Sequence, residues 1–255
     1  MGRIDQCGAV PRELVRAGSY NAMRALNGSV VCAAWRTRQF NKMFPSVENE
    51  LAQLRTIRNA HFAAALPLMR KGYSYKLDSL ALAVLDRSLA LLRGFCDLVE
   101  GRNMIAAAPL LRCQLDNGLR FFASTLVDDP HAFAGDIANG IPVYRMKDEH
   151  GNFMLDDYLK KRLTVEVPWV RALYDQASGY VHLSEQHIIN TIGIPDEDGW
   201  TEIGITGCDG RVWTEQRYIE AIEAFDASTR LVLELVKMWS QVRREPRVPV
   251  EGDQS

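Results

Sequence analysis

Two short stretches bring together residue types that do chemistry. In RALYDQASGYVHLSEQH, Arg171, Asp175, Ser178 and His182 stand at i, i+4, i+7 and i+11, which on a regular helix places all four in one narrow stripe. Histidine exchanges protons near neutral pH, so His182 is the first candidate for a general acid or base, with Ser178 in reach of it and Arg171 in reach of Asp175. In LLRCQLDNGLRFF, Arg112, Asp116 and Arg120 recur every fourth residue beside the apolar row Leu111, Leu115, Leu119, Phe122. That spacing puts Arg112 and Asp116 on the edge of an apolar helix face and turns Arg120 further round, toward solvent. Arg87, in AVLDRSLALL, projects close to the direction of Leu80 and Leu98. Burial is expected there, and a buried guanidinium requires a paired anion, for which Asp116 on the next helix is the natural partner.

Each candidate has a plainer reading. Arg87 and Asp116 read equally as an interhelical ion pair that fixes packing, and His182 as a core or interfacial histidine satisfied by a backbone carbonyl. HLSEQH supplies His182, Glu185 and His187, but an i, i+5 histidine spacing does not share one helical face, so no metal site is expected. His61, in RTIRNAH, adds a basic element to the first helix, while Arg55 and Arg58 read as a solvated face. No glycine-rich phosphate loop, nucleophile elbow or paired cysteine nucleophile occurs, and no cofactor is expected.

These residues need long helices to position them. Leu51, Leu54, Ile57 and His61 or Phe62 give a first helix over about 47–69, with Ser46 as a cap; Leu77, Leu80, Val84, Leu91, Phe95 and Leu98 give a second, closing at Gly101. The second is apolar around nearly its whole circumference, which suits the centre of a bundle. A third runs over about 105–127 and is stopped by Asp128, Asp129 and Pro130. Residues 131–154 read as irregular, with a short hairpin around Glu149 to Asn152. Asp156 or Asp157 caps a short helix through Leu163, Pro168 opens another, and Gly179 is placed to unwind its end. NTIGIPDEDGWTEIGIT alternates on both sides of a turn and reads as a β-hairpin. Thr214 then caps a last helix whose period holds through Trp239. The expected fold is all-α: a single helical bundle over 46–244 with a small β-hairpin inserted before the last long helix, a basic N-terminal arm over 1–45 and a frayed tail over 245–255.

Composition narrows the function classes. Hydrophobic residues make up 47% of the 255 and charged residues 24%, which suits a globular core. A net charge of -2 offers no global attraction to nucleic acid or anionic membrane, although residues 1–44 hold seven Lys or Arg against two acids. The five scattered cysteines fit a reduced, cytoplasmic compartment. No run reaches the roughly 18 apolar residues of a membrane span, because Asp86 and Arg87 interrupt the best candidate.

The order of features, LLRCQLDNGLRFF on a central helix followed by YDQASGYVHLS after a short connector, resembles a loose group of bacterial all-helical proteins with an arginine and an acid on one helix and a Ser-x-x-x-His helix end. These are distantly similar to the HEPN superfamily, which includes ribonucleases of toxin–antitoxin and abortive-infection systems. The resemblance covers about residues 76–190. It implies a metal-independent ribonuclease of a defence or stress system, with RNA as substrate and a homodimer as the working form. His182 would then transfer the proton and Arg87, Arg112 or Arg171 would stabilise phosphate charge, near Asp116 and Ser178. Two other readings stay open: a non-catalytic interaction protein with a buried Arg–Asp–His packing network, and a small-molecule-binding bundle with Tyr180, Trp169 and Trp200 lining a pocket.

Overall fold

The computed structural model describes residues 44–69, 75–192, 203, 207, 209 and 212–242. The expected tail, and the arm apart from Phe44 and Pro45, lie outside the described residues. The helices are α1 (Pro45–Thr56), α2 (Arg58–Ala65), α3 (Lys76–Glu100), α4 (Met104–Phe122), α5 (Pro130–Ala138), α6 (Asp156–Glu166), α7 (Trp169–Ser178), α8 (Glu185–Ile192) and α9 (Glu215–Val242). Among the described residues, the 3-10 turns Leu66–Met69, Ala123–Thr125 and Val143–Arg145 link them. No strand occurs among the described residues, so the all-α expectation holds for them. The hairpin expected over 190–206 falls for the most part outside them, and its first residues, Asn190, Thr191 and Ile192, close α8 instead.

Three long helices form the centre, α4 packing against both α3 and α9. Leu77, Ala81, Leu85, Leu92, Phe95 and Val99 make the buried stripe of α3, and Phe95 stacks on Phe225 of α9 with ring centroids 4.2 Å apart. The other end of α4 buries Leu115 and Leu119 in a second cluster with Phe133 of α5, Met146 and Met154 of the following turn, Leu159 of α6, and Val170 and Tyr174 of α7. Burial of these side chains from water is the dominant stabilisation of such a bundle.

Several boundaries differ from the sequence reading, each for a local reason. The first helix is broken at Ile57, which buries its side chain and leaves the α-helical ladder before α2 begins. The third ends at Phe122, where a 3-10 turn tightens the chain. Residues 131–154 are not irregular throughout. Pro130, expected as a stop for the preceding helix, is instead the first residue of α5, and the Asp129 carboxylate accepts the His131 and Ala132 N–H groups as its cap. The short hairpin reduces to one antiparallel bridge, Lys147 opposite Phe153, held by Asp148 N–H to Asn152 O and Met154 N–H to Met146 O.

Candidate functional site

The charged groups of LLRCQLDNGLRFF converge with others on one flank of α4. Helical spacing brings Arg112, Asp116 and Arg120 into line: Arg112 Nη1 lies 3.7 Å and Arg120 Nη2 3.1 Å from Asp116 Oδ1. Asp156, the first residue of α6, faces them from across the chain, 3.2 Å from Arg112 Nη2 and 2.5 Å from Arg120 Nη2. Arg112 Nε donates to Ser178 Oγ of α7 at 3.3 Å, and the Tyr174 hydroxyl donates to Asp156 Oδ2 at 2.7 Å. The Arg112 guanidinium also lies over the Tyr174 ring, 3.4 Å from its centroid, a stacked cation–π contact.

Arg112 is the most enclosed of these charges, its side chain 17% exposed. Burial draws its guanidinium below its ordinary value, and the charges of Asp116 and Asp156 act the other way. It stays a cation, because arginine does not lose its proton in proteins. Beside it, Lys160 of α6 bonds Asp157 and Asp175, each at 2.8 Å, with its ammonium 4.5 Å from the Tyr174 ring centroid. Burial acts to lower Lys160, but the hydrogen bonds to Asp157 and Asp175 outweigh it and hold the ammonium above its ordinary value. Tyr174 thus meets two cations, each held by carboxylates.

The structure places the sequence candidates unevenly. Arg87 does reach Asp116, at 3.8 Å, but its side chain is 48% exposed rather than buried. The reason is angular. The buried stripe of α3 runs through Val84, Leu85 and Ser88, whereas Leu80, Leu91 and Leu98, which share Arg87's direction, are only half-buried. Arg120 is drawn into the network instead of being solvated, because Asp156 supplies a second carboxylate there.

Ser178 joins the network through Arg112, its hydroxyl donating to Tyr174 O at 2.8 Å. The stripe from Arg171 to His182 is not continuous, since α7 ends at Ser178 with Gly179 as its cap. His182 lies exposed in the turn beyond. Arg171 is exposed on α7, and its expected partner Asp175 turns to Lys160. Asp156, Lys160 and Tyr174 are site residues that sequence reasoning missed: Asp156 or Asp157 reads as a helix cap, yet the cap position is Leu155, which makes no side-chain capping bond, and Asp156 is the first helical residue.

Two further polar clusters tie loops to the bundle. The Asp148 carboxylate accepts the His150 and Asn152 N–H groups, the Asn152 side-chain amide and the Tyr158 hydroxyl. Partial burial acts to raise Asp148, but these donors, Tyr158 first, hold it well below the usual carboxylate range. Asp209, buried, accepts the Met104 N–H at the start of α4 and the Tyr218 hydroxyl of α9, both at 2.7 Å. Burial raises Asp209 above its ordinary value despite those bonds, and raises Tyr218 as well.

Of the aromatic pocket, Tyr180 packs near Trp213 and His187 with centroids 6.2 and 6.5 Å away, Trp169 is exposed on α7, and Trp200 lies outside the described residues. No cluster of three or more metal-ligating side chains occurs among the described residues, and none of their helices is long and apolar enough to cross a membrane. No protein-family model, no curated protein and no solved structure matches the chain.

Proposed function

We propose that this chain is a non-catalytic helical interaction protein, in which the arginine–aspartate network locks α6 and α7 onto the α3–α4 pair. One observation carries the reading. Every nitrogen of the Arg112 guanidinium faces a partner within the fold, Ser178, Asp116 or Asp156, and its π-face lies on Tyr174. A phosphate would have to displace two carboxylates to reach it. The surface beyond the lock suits association: α8 buries none of its side chains, and Leu183, Ile188 and Ile192 stand exposed around it.

A second reading, the HEPN-like ribonuclease, draws on His182. That imidazole is open to solvent four residues beyond Ser178, which touches Arg112. The two readings part in one assay: purified protein incubated with RNA in excess chelator, wild type against His182→Ala. The interaction protein is expected to give no cleavage that depends on His182. Cleavage by the wild type that disappears in His182→Ala would replace it with the ribonuclease.

A further inference from the structure

Helix α2 is held to the bundle in an unusual way. Between the apolar anchors Ile57 before it and Leu68 after it, its one buried side chain is His61, which is 1% exposed. Phe62 and Leu66 point outward. Behind α2, a groove of about 530 Å³ runs along its contact with α9, lined by Ile57, Ala60, Ala64 and Pro67 on one side and Leu233 and Lys237 on the other. The groove interrupts the apolar packing of α2 against α9.

What replaces that packing is a chain of buried hydrogen bonds through four helices. His61 Nδ1 lies 3.1 Å from Ile57 O, which only accepts, so Nδ1 carries the proton. Nε2 is then an acceptor, and the Ser88 hydroxyl of α3, 2.8 Å away, donates to it. Ser88 Oγ accepts the Gln114 amide of α4 at 2.6 Å, and the same nitrogen donates to Thr229 Oγ1 of α9 at 3.0 Å. Thr229 passes its own proton to Phe225 O at 2.8 Å. Each donor in this order is used once per proton. Gln114 Oε1 alone, fully buried, has no partner.

As placed, the order suits a neutral ring. A proton added to Nε2 turns an acceptor into a donor facing Ser88, whose hydroxyl must then turn to the orphaned Gln114 Oε1, which reaches it only after the amide rotates. Among the described residues no carboxylate bonds the ring, whose side-chain partner is Ser88. Of the ionised groups on the surrounding elements, Arg55 of α1 pairs with Glu100 of α3, Asp226 with Arg230 and Glu234 with Lys237 on α9, while Arg58 of α2 lies over the Phe62 ring. Cys96 on α3 keeps its proton, its thiol pushed up to about 11 by burial.

We propose that His61 is the catch of an acid-released latch: protonation of its ring frees α2 from the bundle, uncovering the floor of the α2–α9 groove while the α3–α4–α9 centre stays folded. Burial lowers His61 from its ordinary value in the closed form, which sets the sign. The closed form is favoured above the free-histidine pKa of about 6.5, and opening gains as pH falls below it, by up to about tenfold per pH unit for one proton.

Amide hydrogen exchange of the full chain between about pH 7.5 and 5, corrected for the intrinsic rate, tests this. The α2 amides are expected to lose protection by about tenfold or more across that range, with α3 and α9 unchanged and with no such loss in His61→Gln. Protection of α2 that ignores pH, loss shared equally by α3, or the same slope in His61→Gln overturns the latch. Should His61→Gln not fold, NMR titration of the His61 ring in the wild type decides. A ring that charges in step with α2 opening supports the latch, and one that charges while α2 stays protected overturns it.

Discussion

Arg112 and Asp156, 44 residues apart in the chain, meet at 3.2 Å, and that contact holds the α6–α7 pair against α4. Removing either partner leaves the remaining charges short of a counter-ion in a half-buried setting. Arg112→Met is expected to cost about 2 to 3 kcal/mol, because it leaves Arg120 as the counter-charge shared by Asp116 and Asp156 and removes the stack on Tyr174. Asp156→Asn is expected to cost less, about 1 to 2 kcal/mol, since Asp156 is partly open to water that screens the change. Urea denaturation of both variants checks the order; equal costs would contradict Arg112 as the hub.

Arg87 tests the opposite case. Its guanidinium is half-exposed and 3.8 Å from Asp116, so Arg87→Ala is expected to change stability by no more than about 0.5 kcal/mol. A loss comparable to that of Arg112→Met, measured in the same urea series, would mean that Arg87 carries weight the geometry does not assign it.

The Asp148 carboxylate collects four donors around the turn before α6 and sits well below the ordinary carboxylate range. Its contribution is therefore complete above the unfolded value of about 3.9 and is lost as pH falls through that value toward the folded one. The stability gap between wild type and Asp148→Asn should shrink as pH is lowered from about 5 to 2. A gap that stays constant in denaturant midpoints across this range would show that the carboxylate's charge is not what the turn uses.

Phe225 is fully buried and stacks on Phe95 at the centre of the bundle. Phe225→Ala should cost about 3 to 5 kcal/mol, the range for an aromatic truncated in a packed core. Thermal unfolding that moves by less than a few degrees would show that the α3–α9 contact is not central.

The long helices were legible because each writes its own signal. The period of α3 and its stop at Gly101, the period of α4, and the run of α9 all come from residues within one turn of each other. The pairing of Arg87 with Asp116 was legible for a related reason, since two long neighbouring helices present their faces to each other. Pro130 shows the limit. The same missing N–H that ends one helix suits the first turn of the next, and the sequence alone does not say which use prevails.

What the amino-acid sequence determined by itself was which side chains lie in line along a helix: Arg112, Asp116 and Arg120 on one flank, Arg171, Asp175 and Ser178 on another. Only the tertiary structure decided which flanks meet. It brought Asp156 and Tyr174 to Arg112, turned Asp175 to Lys160, left Arg87 half in water and ended α7 before His182. It also chose His61 over Phe62, the two candidates the first helix's period offered for its inward row, and buried it against Ser88 of α3. Spacing along a helix is fixed within a few residues, but burial and partnership depend on how helices dock, which is set by apolar packing summed over the whole chain.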